Sequence, residues 1–210
     1  MSIKLLAMDF DSTLVIEESL NELASYLKLD SQISSITEQA MAGKIDFTTS
    51  MNLRVKSFKD APSDALTAVG NRLTASPGAN ELINFCKLSK IRLSIISGGF
   101  IQILDAFSLC KVFDYVFANS LEIHDGKLTG SISDFSIDAQ GKANALAKLA
   151  NELELERNEI MAIGDGANDI EMISFAGIGV SFRGKPILDN VAKYRIENSL
   201  DEVIPLLQAS

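Results

Sequence analysis

The chain has 210 residues, is 47% hydrophobic and carries 28 acidic against 19 basic side chains, a formal charge of -9. That size supports one core, or one core with a modest inserted lobe, and excludes two large independent domains; the negative balance works against binding nucleic-acid backbones or anionic membranes. Cys86 and Cys110 form neither a disulfide framework nor a paired zinc motif, the N-terminal apolar run breaks at Asp9, and no stretch approaches the roughly 18 apolar residues of a membrane span, so an unexported, cytoplasmic protein is expected.

The first apolar run, residues 3–8, reads as a strand and ends in Asp9-Phe10-Asp11-Ser12-Thr13. Carboxylates at the end of a buried strand are costly unless they are paired, hydrogen-bonded or metal-bound. Residues 17–73 read as consecutive helices with no convincing strand. A helical cap lobe over 16–76 is therefore expected, inserted into a core made of 1–15 and 77–210, and placed as a lid over the strand ends. A helix over 77–90 precedes the second run, 91–96, which leads into Ser97-Gly98-Gly99 and a helix expected over 99–109.

"HDGKLTG" at 124–130 sets Asp125-Gly126 between β-type segments, the signature of a hairpin. Lys142 opens a helix expected over 142–153. The third run, 160–163, ends in Gly164-Asp165-Gly166-Ala167-Asn168-Asp169, with a helix over 169–176, and a fourth run at 178–180 and a helix over 200–207 follow. These runs are apolar rather than alternating, as in strands covered on both faces. Alternation with helices predicts a doubly wound, Rossmann-like parallel α/β sheet.

In such sheets ligands bind beyond the carboxyl ends of the strands. Asp9, Asp11 and Asp165 converging there would repel unless a hard cation neutralised them, and oxygen donors favour Mg²⁺. Ser97 and the Gly98 and Gly99 amides, at a helix start, suit phosphate oxygens, and Lys142 can balance their charge, so the pattern points to a phosphate ester. Taken singly, Ser97-Gly98-Gly99 also reads as a capped turn, Lys142 as an exposed helix lysine, and Asp165, Asn168 and Asp169 as loop and cap residues. His124, the single histidine, reads as an exposed hairpin residue, which gives a serine-histidine triad no support. Cys86 and Arg92 have C-x₅-R spacing but no glycine-rich loop, so Cys86 reads as a core residue.

D-x-D-x-T at 9–13, the strand-end Ser97, the isolated Lys142 and GDGAND at 164–169, in that order, resemble the four motifs of the haloacid dehalogenase superfamily of phosphohydrolases. The resemblance spans essentially the whole chain. It implies that Asp9 takes the phosphoryl group as an aspartyl-phosphate, and that Asp11 protonates the leaving oxygen and then deprotonates the attacking water. By the same resemblance Asp9, Asp165 and the Asp11 carbonyl hold Mg²⁺, Ser97, Gly98, Gly99, Lys142 and Asn168 hold phosphate, and Asp169 supports them from behind.

The inserted helices, with "SGGF" at 97–100 and "GDGANDIEM" at 164–172, look like those of phosphoserine phosphatases. That likeness implies Glu18 on a substrate ammonium, Arg54 on its carboxylate, and Phe47 packing over it. The implied activity is Mg²⁺-dependent hydrolysis of O-phospho-L-serine to L-serine and phosphate in serine biosynthesis, by a monomer or homodimer. Another small phosphomonoester is the alternative, and an aspartyl-phosphate signalling module a further one, against which Asp11 and the insertion argue. The N-terminal regulatory domain of some members is not expected.

Overall fold

The computed structural model describes residues 2–41 and 44–209. In chain order the elements are β1 (Leu5–Met8), α1 (Ser19–Tyr26), α2 (Asp30–Met41), α3 (Phe47–Ser57), α4 (Asp64–Gly70), α5 (Ala79–Leu88), β2 (Arg92–Phe100), α6 (Ile101–Leu104), β3 (Tyr115–His124) and β4 (Lys127–Asp134). They continue with α7 (Ala139–Glu152), β5 (Ile160–Gly164), α8 (Ile170–Phe175), β6 (Ile178–Phe182), α9 (Pro186–Asp189), β7 (Tyr194–Ile196) and α10 (Ile204–Gln208).

The strands form one seven-stranded sheet in the order β4-β3-β2-β1-β5-β6-β7, parallel except for β4. Strand β1 shows why both faces are apolar. Leu6 and Met8 pack into the core shared with α1 and α5, whereas Leu5 and Ala7 pack against Leu146, Leu149 and Met172 of α7 and α8. A strand sandwiched in this way has no solvent side on which to place polar residues. Met8 lies opposite both Ile95 and Ile163, so β1 ends level with the apolar runs of β2 and β5. This is where the strand order reverses, the position at which an open α/β sheet forms a crevice.

Between β1 and α5 the chain folds as four helices whose apolar residues, among them Leu20, Leu23, Val55 and Leu66, join the core on the Met8 face. The two ends of this insertion are clipped together. Val15 pairs with Ala75, Ile16 N–H donates to Thr74 O at 3.0 Å, and Ser76 N–H donates to Leu14 O at 2.9 Å. A second attachment is made by the β3–β4 hairpin, which turns on Asp125 (φ 47°) and Gly126 (φ 72°), the pair of left-handed residues a tight two-residue loop requires. Its backbone meets the segment between α3 and α4. Asp60 N–H donates to Leu128 O (2.8 Å), Leu128 N–H to Ala61 O (2.9 Å) and Ser63 N–H to Gly126 O (2.9 Å).

Several elements depart from expectation. The helix expected over 99–109 is a continuation of β2 to Phe100, then the single turn α6 and a 3-10 turn at Ser108–Val112. The ladder between β2 and β3 slips between Ile96 and Phe100, so the glycine pair lies in irregular extended backbone and not at a helix start. Helix α7 begins three residues before Lys142, with Asp138 capping it through Gly141 N–H at 2.7 Å. Helix α8 and the C-terminal helix α10 are each entered through a 3-10 turn. Strand β7 was not expected, because three residues carry no readable period.

Candidate active site

Asp9 continues the sheet ladder, its N–H donating to Ile163 O at 3.0 Å, and the chain then folds into a tight π-type turn over Phe10–Leu14. Asp9 Oδ1 accepts from Phe10 N–H and from Lys142 Nζ, both at 2.7 Å. The same ammonium lies 2.7 Å from Asp169 Oδ1, while Asp169 Oδ2 accepts from the N–H groups of Asp165 (3.0 Å) and Gly166 (3.1 Å). Asp9, Lys142 and Asp169 are 3%, 0% and 0% exposed, so this charged triad is enclosed. Both oxygens of Asp169 are thereby occupied, whereas Asp9 Oδ2 and the half-buried Asp165 carboxylate have no hydrogen-bond or ion-pair partner among the described residues.

The electrostatics follow from that arrangement. Burial, and then the Asp169 charge, raise Asp9 well above the usual carboxylate range despite the pull of Lys142. Burial with the charges of Asp169 and Glu18 pushes Asp165 up to about 6. Lys142 is raised because its two carboxylates outweigh the effect of burial. Carboxylate oxygens of Asp9, Asp165 and Asp169 lie within 4.8 Å of one another, three acids served by one ammonium. A divalent cation fits this set, since its charge would balance the excess and every donor is a hard oxygen.

Asp11 stands apart from that cluster. Its Oδ1 accepts from Ser19 N–H at 2.8 Å and its Oδ2 from the Ser19 hydroxyl at 3.1 Å. Burial, with the nearby Glu18 charge, pushes it up to about 7 against the two Ser19 hydrogen bonds.

On the phosphate side, Ser97 Oγ accepts from Gly99 N–H at 2.9 Å, so hydroxyl and amide are paired with each other. The glycine turn is held by Asn119, a buried residue the sequence did not single out. Its Nδ2 donates to Gly98 O (2.9 Å) and Ile137 O (3.1 Å), and its Oδ1 accepts from Ser136 N–H (3.0 Å) and Ile137 N–H (2.9 Å). A fully satisfied amide thus joins the Gly98 turn to the loop that enters α7 and so fixes it relative to Lys142. The only trace in the sequence is a polar residue inside the β-type run at 115–124.

These residues border a cavity of about 300 Å³, lined on the sheet side by Asp9, Asp11, Gly98, Gly99, Asp165, Ala167 and Asn168. Glu18, Leu20, Met51 and Arg54 close it from the inserted helices. Ser97 and Lys142 are buried behind the lining, Lys142 meeting it through Asp9. Glu18 accepts from the Ser12 hydroxyl at 2.8 Å. Arg54 is half-buried, with its Nε unpartnered among the described residues and its Nη2 3.9 Å from Met51 Sδ. Burial holds it below its usual range, against the charges of Glu18 and Asp11. The expectation for the Phe47 side chain lies outside the described residues. Lys185 also lines the cavity, and its N–H donates to Asp165 O at 2.8 Å. Lys185 follows the apolar run at 178–180 as Asp165 follows that at 160–163, and this position is its signal in the sequence.

A family model described as haloacid dehalogenase-like hydrolase matches residues 6–174. The chain is 38% identical to a phosphoserine phosphatase of Lactococcus lactis, covering 92% of this chain and 89% of that one. It is 37% identical to phosphoserine phosphatase SerB2 of Mycobacterium tuberculosis over 97% of its own length, but spans only about half of that relative, 50%. A solved structure of a phospho-aspartyl intermediate analogue of phosphoserine phosphatase superimposes with a TM-score of 0.88 at 35% identity, covering 98% of this chain and 99% of the other.

Proposed function

The chain belongs to the haloacid dehalogenase-like hydrolases, and from that premise we propose that it is a Mg²⁺-dependent phosphatase of O-phospho-L-serine, acting in the cytoplasm. Asp9, through its Oδ2, which has no partner among the described residues, is the nucleophile, and Asp11 is the proton donor and acceptor. The Asp9 and Asp165 carboxylates with the Asp11 carbonyl would hold the cation, whose charge would let an anionic nucleophile approach an anionic phosphoryl group. Asp169 and Lys142 keep Asp9 turned toward the cavity. Gly98, Gly99 and Asn168 border the phosphoryl group, with Ser97 behind the glycine turn, and residues 16–76 form the lid that excludes water.

The observation that carries the substrate is the half-buried Arg54 guanidinium, set with Glu18 in the cavity that also holds Asp9. A cation and an anion opposite a phosphate site complement a carboxylate and an ammonium on the same small molecule. Among the described residues no helix is long and apolar enough to cross a membrane.

The test is phosphate release from phosphoserine, phosphothreonine, phosphoethanolamine and p-nitrophenyl phosphate, each with Mg²⁺ and with EDTA. Metal-dependent preference for phosphoserine is expected. Metal-dependent hydrolysis without that preference would retain the chemistry and reject the substrate.

A further inference from the structure

The two aspartates of the DFDST segment are fixed by different parts of the molecule. Asp9 is held by the core, through Phe10 N–H and Lys142. Asp11 is held by the inserted helices, because both of its oxygens accept from Ser19, the first residue of α1, which is 0% exposed. Two further contacts bind the same stretch to the turn. Ser12 N–H donates to Glu17 O at 3.1 Å, and the Ser12 hydroxyl donates to Glu18 Oε1 at 2.8 Å. A methyl group placed on Gly99 would sit 3.2 Å from Asp11 Oδ2, 3.1 Å from Ser97 Oγ and 3.5 Å from Ser19 Oγ, so these three oxygens ring the space above the glycine turn at the cavity wall. The Ser19 amide anchors Oδ1, and the Ser19 hydroxyl anchors Oδ2, the oxygen beside Gly99 at the phosphate cradle.

We propose that Ser19 is a positioning residue for proton transfer, its amide and hydroxyl together aiming Asp11 Oδ2 at the ester oxygen of the substrate. The inference rests on the phosphatase reading above. In the first step an Asp9 oxygen bonds to phosphorus as the ester P–O bond breaks, and the Asp11 carboxyl proton passes to the departing oxygen, so the alcohol leaves neutral and Asp11 is left ionised. In the second, water bonds to phosphorus as the Asp9–phosphate bond breaks, and the water proton returns to Asp11. Proton transfer of this kind contributes only when the donor is aimed at the acceptor. Because the aiming group belongs to α1, the orientation of the acid is coupled to the seating of the inserted helices.

The dependence on the leaving group separates positioning from a structural role. An alkoxide needs the proton, whereas p-nitrophenolate departs without it. The experiment measures kcat/KM, which reports the steps up to loss of the alcohol, for phosphoserine and p-nitrophenyl phosphate in wild type, Ser19→Ala and Ser19→Thr, and in the Asp11→Asn background. Ser19→Ala is expected to lose about tenfold on phosphoserine and less than about twofold on p-nitrophenyl phosphate. Ser19→Thr, which keeps the hydroxyl, is expected to restore most of the loss, and Ser19→Ala should add nothing once Asp11 is Asn.

Equal losses on both substrates, or an additive loss with Asp11→Asn, would overturn the proposal. Should Ser19→Ala not fold, Ser19→Cys, a near-isostere with a weak donor, is read by the same ratio. If wild type prefers another alkyl phosphomonoester, the substrate assignment falls and the ratio is measured on that ester. A wild type that hydrolyses none overturns both readings.

Discussion

Burial and the Glu18 charge push Asp11 up to about 7, although Ser19 donates two hydrogen bonds to its carboxylate. In the unfolded chain an aspartate titrates near about 3.9, so between roughly pH 4 and 7 the folded protein binds a proton that the unfolded chain has released. Stability therefore falls as pH rises through that window, and the loss is complete above the folded value. Asp11→Asn removes this contribution. Without divalent metal the variant is expected to be more stable than wild type at pH 8, on the order of 1–2 kcal/mol after allowance for the partial exposure of the site, with the gain vanishing near pH 4. Calorimetry in EDTA measures the difference, and a gain of the same size at both pH values would refute it. Arg54 gives the complementary case on the substrate side. Arg54→Ala should lower kcat/KM for phosphoserine about 10–100-fold and for phosphoethanolamine, which has no carboxylate, only slightly, since one charge-assisted contact is lost in the first case alone. Equal losses would remove Arg54 from the account of specificity.

Among the elements, the β3–β4 hairpin has a role that its strand pairing does not reveal, because its outer backbone edge is spent on residues 60–63. Gly130, at φ +82°, lies against the end of α3 and the residue just before that segment, and a methyl group there would come within 3.0 Å of Lys59 Cβ and 3.3 Å of Lys56 O. Gly130→Val combines backbone strain with that collision. Hydrogen exchange at the amides of Asp60, Ser63 and Leu128 should accelerate by at least about tenfold in the variant while Leu6 and Ala7 in β1 keep their protection. Unchanged exchange at those three amides would show that the hairpin is not what holds the segment. This attachment was illegible in the sequence because it is made by backbone groups of a loop and of the hairpin's edge and turn, which leave no side-chain pattern. The strand-end residues were legible for the opposite reason. Asp9, Gly98 and Asp165 each follow an apolar run, and the shared register of β1, β2 and β5 brings those ends to one level. Asn119 and Ser19 were missed because a buried amide or hydroxyl is distinguished only by the partners that folding supplies.

At the scale of the whole molecule, a chain of charge -9 encloses three carboxylates and one ammonium at the site assigned to an anionic substrate. The global field repels such a ligand, so attraction has to be local, from Arg54, from Lys185 at the cavity and from a bound dication. The same charge imbalance makes the dication a folding ligand. Anything that binds only the native state stabilises it by mass action, by about 2.7 kcal/mol at a hundredfold excess over its Kd. For a chain of this size, each kcal/mol moves the melting temperature by about 2–4 °C, so saturating Mg²⁺ should raise it by roughly 5–10 °C over the value in EDTA. Asp165→Asn removes one donor and one of the three charges, and the Mg²⁺-induced rise should shrink sharply while the EDTA value stays the same or increases, because the carboxyl lost is one that burial already disfavours. Sodium chloride at matched ionic strength separates binding from screening. If it reproduced the full rise, or if Asp165→Asn kept it, the stabilisation would come from the overall field of the molecule and the assignment of these carboxylates to a cation would fail.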